Sequence, residues 1–296
     1  MGYLLLAASL LAGATKGYCG KKMGNFAENT AAASLLNLVR MAICVPLSVL
    51  MLLCAGEVHA LVPTFPVLAI SAASGIFTAF FVVSWLVSVR RGAYMMVDAF
   101  LMLGTMVPMV CGKVFLDEPI GFKRLLGYLI LFCAVLILCS YNNGIKCKLT
   151  LPSFLVLVFC GFANGVVDLS QKLFVKLVPT SPVSVFNFYT YLFASITLLI
   201  TFWVLRRKDG PRFAEEGARF RYLYVAIMAV ALILHSFFKT LAAVHLDSAV
   251  LYPLSQSLAL IVTTLMAALF FGERLNAKAA FGVVLCLIGM LVMNVL

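Results

Sequence analysis

Charge is the scarcest ingredient of this chain. Only 11% of its 296 residues are charged and 64% are hydrophobic, and the mean hydropathy is +1.10. A soluble chain of this length could not hide so much apolar surface, because its own exterior would be largely apolar. Histidine is nearly absent, with three copies at 59, 235 and 245. None of them forms, with its sequence neighbours, the His–acid or nucleophile–base set that an intramembrane enzyme needs. The chain therefore reads as a non-enzyme. No G-x-x-x-x-G-K-[ST] loop occurs, so no ATP site is recognisable and no cofactor is expected. The nine cysteines contain no CxxC pair, and only Cys54 has a His (His59) nearby. They read as small helix-packing hydrophobes, and no metal is expected.

The charges that exist are unbalanced, with 22 Lys and Arg against 11 Asp and Glu and a formal net charge of +11. In a soluble protein this excess would suggest nucleic acid. Here the basic residues gather at the ends of apolar runs, where they reach headgroups and set orientation. The expected partners are the lipid bilayer and a small-molecule substrate, without nucleic acid, in a monomer or homodimer.

What the chain has in abundance is long apolar runs. A spanning helix takes about 20 mostly apolar residues, and backbone in lipid must satisfy its own hydrogen bonds, so these runs read as helices. Ten spans are expected, at roughly 2–20, 31–55, 62–89, 93–113, 122–141, 153–175, 183–205, 221–242, 247–271 and 277–295. The first lacks the charged start of a signal peptide, although Ala12-Gly13-Ala14 mimics a cleavage site, and reads as a retained span. The one sizeable polar stretch, Arg206 to Arg221, reads as a solvated connector. The expected location is the plasma (inner) membrane, with many passes.

An internal repeat runs through the chain at an offset of 155 residues. Phe115, Glu118, Lys123 and Gly127 match Phe270, Glu273, Lys278 and Gly282, each set reading F-x-x-E-x-x-x-x-K-x-x-x-G at the join of two apolar runs. The reading is of two repeats, 1–145 and 146–296, with five spans each. An odd number of spans makes the second copy enter the membrane from the opposite side. Such an inverted pseudo-two-fold lets one chain open a central site to either side in turn. Glu118 and Glu273, at helix joins, are expected to meet the unpaired N–H groups of a helix N-terminus rather than substrate. Gly104, Gly112, Gly127 and Gly282 are expected to permit close helix approach. Pro108 and Pro253 are expected to kink the fourth and ninth spans.

The stretches Lys113–Gly127 and Leu269–Gly282 carry a family resemblance. Each resembles the signature of the EamA-type module of the drug/metabolite transporter superfamily, present here twice. The second copy is also similar to the last two helices of small multidrug resistance proteins. The resemblance implies ten helices around a central cavity, with the first, third, fourth, sixth, eighth and ninth lining it. The fifth and tenth would close the outside and could mediate dimers. It further implies export of amino acids, drugs or other metabolites, or exchange of nucleotide sugars and sugar phosphates. The multidrug-type membrane carboxylate is missing: eight residues before Lys22 and Lys172 stand Ala14 and Asn164. That counts against proton-coupled export of organic cations.

An ionisable group within a span costs about 3 kcal/mol on insertion scales and is a site candidate by default. Lys16, Asp98, Asp168, His235 and Lys239 qualify, all on spans that the resemblance places around the cavity. Helical spacing puts Asp98 on one face with Tyr94, Asp168 with Asn164, Gln171 and Lys172, and His235 with Lys239. The ninth span adds Tyr252, Ser255 and Gln256, and the indoles available as walls are Trp85 and Trp203. The expected substrate-binding set is Lys16, Trp85, Tyr94, Asp98, Asn164, Asp168, Gln171, His235, Lys239, Tyr252, Ser255 and Gln256. A cavity of both signs suits a zwitterionic or polar neutral solute better than a lipophilic cation. Arg40 reads as a packing or lipid-facing residue. Basic residues number 14 near loops after odd spans and six near those after even spans, which puts both termini outside; the resemblance implies the reverse. The expected function is a secondary-active carrier. Its rivals are a drug exporter, a nucleotide-sugar or sugar-phosphate exchanger, a channel and an intramembrane enzyme.

Overall fold

A computed structural model describes residues 1–90, 94–118, 120–140, 151–215, 218–271 and 277–294. Eleven α-helices follow one another: α1 (Gly2–Phe26), α2 (Thr30–Ala55), α3 (Phe65–Arg90), α4 (Tyr94–Gly104), α5 (Met106–Leu116), α6 (Phe122–Ser140), α7 (Leu151–Leu177), α8 (Val183–Lys208), α9 (Arg221–His245), α10 (Ser248–Phe271) and α11 (Ala277–Asn294). No strand occurs among the described residues, and α2, α3, α7, α8, α9 and α10 are each long and apolar enough to cross a membrane. This is an all-α membrane protein.

The helices stop where the local chemistry requires. Asn29 caps α2 by accepting the Ala32 N–H at 2.9 Å. Gly56 ends the same helix in the left-handed region, with φ of 70°, where a Cβ would be strained. The fourth expected span is not one kinked helix but two, α4 and α5, parted at Thr105. Pro108 is the physical reason: its nitrogen cannot donate, and its ring clashes with the carbonyl four residues back, which is that of Gly104. Thr105 Oγ1 donates to the Met102 carbonyl at 2.7 Å and meets Tyr128 Oη at 2.8 Å, satisfying the break locally. Pro253 lies inside α10, which continues through it.

Helices pack in defined couples: α1 on α9, α3 on α7, α2 on α8, α4 on α7 and α10, and α6 on α11. Several of the described crossings require glycine. A Cβ on Gly104 would collide with the Gly161 backbone of α7, and one on Gly127 would collide with Met293 of α11. Gly127 and Gly289 thus bring α6 and α11 together within the chain.

The two ends of α1 mark two faces of the bundle. At its start, Gly2 lies against Leu246 and His245 of the α9–α10 turn. At its end, Ala214 N–H donates to the Phe26 carbonyl at 3.1 Å, and Glu28 N–H donates to that of Arg212 at 3.0 Å. Asn29 also donates to Asp209 Oδ2 and to the Gly210 carbonyl. The stretch after α8 is largely exposed, as a solvated connector should be, but it is not free. It is pinned to the α1–α2 turn, because the open backbone donors and acceptors of the two segments satisfy each other.

Candidate functional site

Between these faces lies a cavity of about 840 Å³, its mouth included. Its polar wall is assembled from seven helices: Lys16 on α1, Arg40 on α2, Trp85 on α3, Asp98 on α4, Asn164 on α7, His235 and Lys239 on α9, and Ser255 and Gln256 on α10. A second pocket of about 510 Å³ shares Lys16, Asn164, His235 and Lys239 with it and adds Asp168, Gln171 and Ser236. The helix α8 contributes Thr190 and Tyr191 to this second pocket, and α3 contributes Ser74 and Thr78.

One ion pair organises the wall. Lys239 Nζ donates to Asp168 Oδ1 at 2.7 Å, with side chains 3% and 2% exposed. The other carboxylate oxygen receives only a long contact from Asn164 Nδ2, at 3.5 Å. Below the ammonium lies the Tyr252 ring, its centroid 5.2 Å from Nζ, so a cation–π contact adds to the ion pair. His235 Nδ1 lies 2.9 Å from the Ser9 carbonyl. Ser9 Oγ lies equally close to Nδ1, at 2.9 Å, and donates to the His235 carbonyl at 3.0 Å, so α1 fixes the ring's orientation. Ser236 donates to Asn187 Oδ1 at 2.9 Å and is approached by Gln171 Nε2 at 3.5 Å, tying α7, α8 and α9 together.

Other polar groups stand open. Asp98 is buried, and its Oδ2 has no hydrogen-bond partner among the described residues. Lys16 lines both pockets and takes part in none of the ion pairs among the described residues. No group of three or more His, Cys, Asp and Glu comes together among the described residues.

A second buried ion pair seals the face at which α1 begins. Lys172 Nζ lies 3.1 Å from Glu118 Oε1, with side chains 2% and 6% exposed. The ammonium also donates to the carbonyls of Ala243 and Leu246, at 3.0 and 2.6 Å. Glu118 Oε2 accepts the Ser248 N–H at 2.8 Å, at the first residue of α10. A carboxylate is favoured there by the helix's unpaired donors and its positive end. Glu118 thus caps a helix, as expected, but one 130 residues away rather than at its own join. Arg124 and Asp247, 3.5 Å apart, add a contact beside it.

Of the expected substrate-binding residues, Lys16, Trp85, Asp98, Asn164, His235, Lys239, Ser255 and Gln256 line the main cavity. Asp168 and Gln171 line the adjoining pocket. Tyr252 is fully buried beneath Lys239. Tyr94's side chain lies outside the described residues, as does Glu273. The structure also places three side chains whose surroundings the sequence left open. Arg40 is 2% exposed and lines the main cavity, so it does not face lipid. Trp203 is 57% exposed, with the Arg207 guanidinium 3.9 Å over its ring, and is no cavity wall. Lys172 shares a helix face with Asp168 yet points to Glu118 instead. Arg40 was detectable as a charge in mid-span; what it faces depends on the helices around α2.

Residues 151–295 match the family model described as EamA-like transporter family. A search of curated proteins finds no match. A solved crystal structure is similar over 99% of this chain and 96% of its own, with a TM-score of 0.71 at 15% identity. Identity that low speaks for the fold alone. The helical membrane fold and the family match agree: residues 151–295 carry the match to the EamA-like transporter family, a family of membrane transporters.

Proposed function

We propose that the chain is a secondary-active carrier that exports or exchanges a small polar or zwitterionic metabolite, such as an amino acid, by alternating access. The observation that carries this reading is the buried polar cavity itself. It holds Lys16, in no ion pair among the described residues, and Asp98, with one carboxylate oxygen unpartnered among them, beside the Asp168–Lys239 pair, and seven helices from both halves of the chain converge on it. Open charges of both signs in one desolvated chamber match a solute that carries both signs. Lys16 and Arg40 would repel an organic cation, which disfavours a drug exporter.

The proposal includes ten membrane crossings in two inverted repeats, with α4 and α5 counted as one interrupted span. The packing couples support it. Exchanging each span of the first repeat for its counterpart in the second turns α1–α9 into α7–α3, and maps the couples α2–α8, α4–α10 and α6–α11 onto themselves. The loops support it too. The described turns after the first and seventh spans meet at one face, as 26–29 and 209–214 do, and those after the fourth and eighth spans meet at the other, as Glu118 and the α9–α10 turn do. Rocking of one repeat on the other would break one set of face contacts while keeping the other.

Uptake into proteoliposomes, with and without a pH gradient, tests the reading. Saturable flux that is stimulated by solute on the far side is expected, and linear unsaturable flux would point to a channel. Asp98 and Asp168 are the coupling candidates. Gradient-driven flux that survives Asp98→Asn combined with Asp168→Asn would remove them from that role.

A further inference from the structure

Arg40 is a charge without a counter-charge. Its side chain, eleven residues into α2, is 2% exposed and lines the main cavity. One terminal nitrogen, Nη1, donates to Met228 Sδ at 3.2 Å. A thioether is a weak acceptor and brings no negative charge. The two remaining nitrogens, Nε and Nη2, are buried with no hydrogen-bond partner. These are the nitrogens on one edge of the planar fork, whose parallel N–H bonds match the two oxygens of a carboxylate or phosphate.

The charge balance around the cavity points the same way. Among the described lining residues three Lys and Arg side chains, Lys16, Arg40 and Lys239, stand with His235 against two acids, Asp98 and Asp168. Asp168 is taken by Lys239 at 2.7 Å. Asp98 is the one further acid in the described lining for Lys16 and Arg40 together. A desolvated cation in this setting is unfavourable until an anion arrives, so an arriving anion gains what the empty site lacks.

We infer that Arg40 anchors an oxyanion group of the transported solute through Nε and Nη2, and that the solute carries net negative charge. Lys16 supplies the second positive charge, and Asp98 receives an ammonium or hydroxyl where the solute has one. The inference rests on the carrier reading and narrows its substrate class from polar or zwitterionic to anionic, either a carboxylate or a phosphate.

Two matched pairs test it on the purified full chain at constant ionic strength: glutamate against glutamine, and glucose 6-phosphate against glucose. The thermal unfolding midpoint is expected to rise with the charged member of at least one pair and to stay unchanged with its neutral twin. Which pair responds tells carboxylate from phosphate. Arg40→Gln is expected to abolish the difference, and Arg40→Lys to keep a weaker one, since an ammonium holds the charge but not the fork. Should Arg40→Gln fail to fold, Arg40→Lys carries the comparison. Equal shifts within both pairs, no shift from any of the four, or an undiminished preference in Arg40→Lys would each overturn the inference. Failure of the carrier reading itself would be seen separately, as absence of saturable flux for any solute in proteoliposomes.

Discussion

Two buried ion pairs share α7 one turn apart, and they are built differently. Lys172 meets Glu118 and two main-chain carbonyls, while Glu118 also accepts the first N–H of α10. The Lys172 ammonium thus meets three oxygens, and Glu118 holds the start of α10 through Oε2, while Oε1 meets Lys172 as an ion pair. Four residues back, Asp168 meets Lys239 closely, but its other oxygen has only a 3.5 Å contact with Asn164, and the pair borders open cavity. The first pair has the form of a latch between the two halves of the chain. The second has the form of a charge held ready for exchange, because its unused lone pairs can meet a ligand or water. Burial alone does not separate the two roles; contact with the cavity does, since Asp168 and Lys239 line it and Glu118 and Lys172 do not.

Breaking the latch should produce the largest effect. Glu118→Leu leaves Lys172 buried without a counter-charge, a loss of about 3–5 kcal/mol. A fall in the thermal unfolding midpoint measures it, and Glu118→Leu with Lys172→Met should recover much of the fall. If the single variant unfolds like the parent, Glu118 and Lys172 are no latch. The cavity pair should behave in the opposite way. Asp168→Asn is expected to cut initial uptake by roughly tenfold or more, the equivalent of losing a charged hydrogen bond worth about 1.5–3 kcal/mol. Its unfolding midpoint should fall less than that of Glu118→Leu, since the cavity gives Lys239 access to water. Equal losses of stability in the two variants would erase the distinction.

Two further variants sharpen the contrast by testing the frame that holds both pairs. Gly104→Ala places a methyl against the Gly161 backbone, so α4 must move off α7 at a cost of about 1–3 kcal/mol. Uptake should drop with it, as Asp98 and Asn164 sit on those two helices. Asn29→Ala removes a helix cap and the ties to Asp209 and Gly210, with an expected loss of about 1 kcal/mol. Faster proteolytic cutting within 206–221, at nearly unchanged uptake, is the result that would fit a pinned but non-gating loop.

Much of the site was legible because intramembrane charge is expensive. Lys16, Asp98, Asp168, His235 and Lys239 stood out in an apolar chain, and all five border the two pockets. The same rule flagged Arg40, but a lone Arg in a span has two physical solutions, a lipid-facing side chain that reaches for headgroups or a buried one that meets a ligand. Helical period could not choose between them. Trp203 failed for the converse reason: its aromatic character suited a wall, yet its face of α8 points outward, where Arg207 stacks on it. The α4–α5 break was legible as a kink from Pro108, but that the helix would end at Gly104 depended on Thr105 finding Met102 and Tyr128.

Composition and run length determined by themselves that this chain is helical and lies in a membrane, since lipid accepts no other fate for long apolar segments with self-satisfied backbone. Of the two F-x-x-E-x-x-x-x-K-x-x-x-G joins, the one at 270 to 282 lies within the residues that match the family. Only the tertiary structure decided which charge meets which. Asp168 and Lys172 are neighbours on one helix face, yet their counter-ions come from 71 residues ahead and 54 residues behind. Helical periodicity is a property of a few residues, whereas the partner of a buried charge is set by the crossing of distant helices.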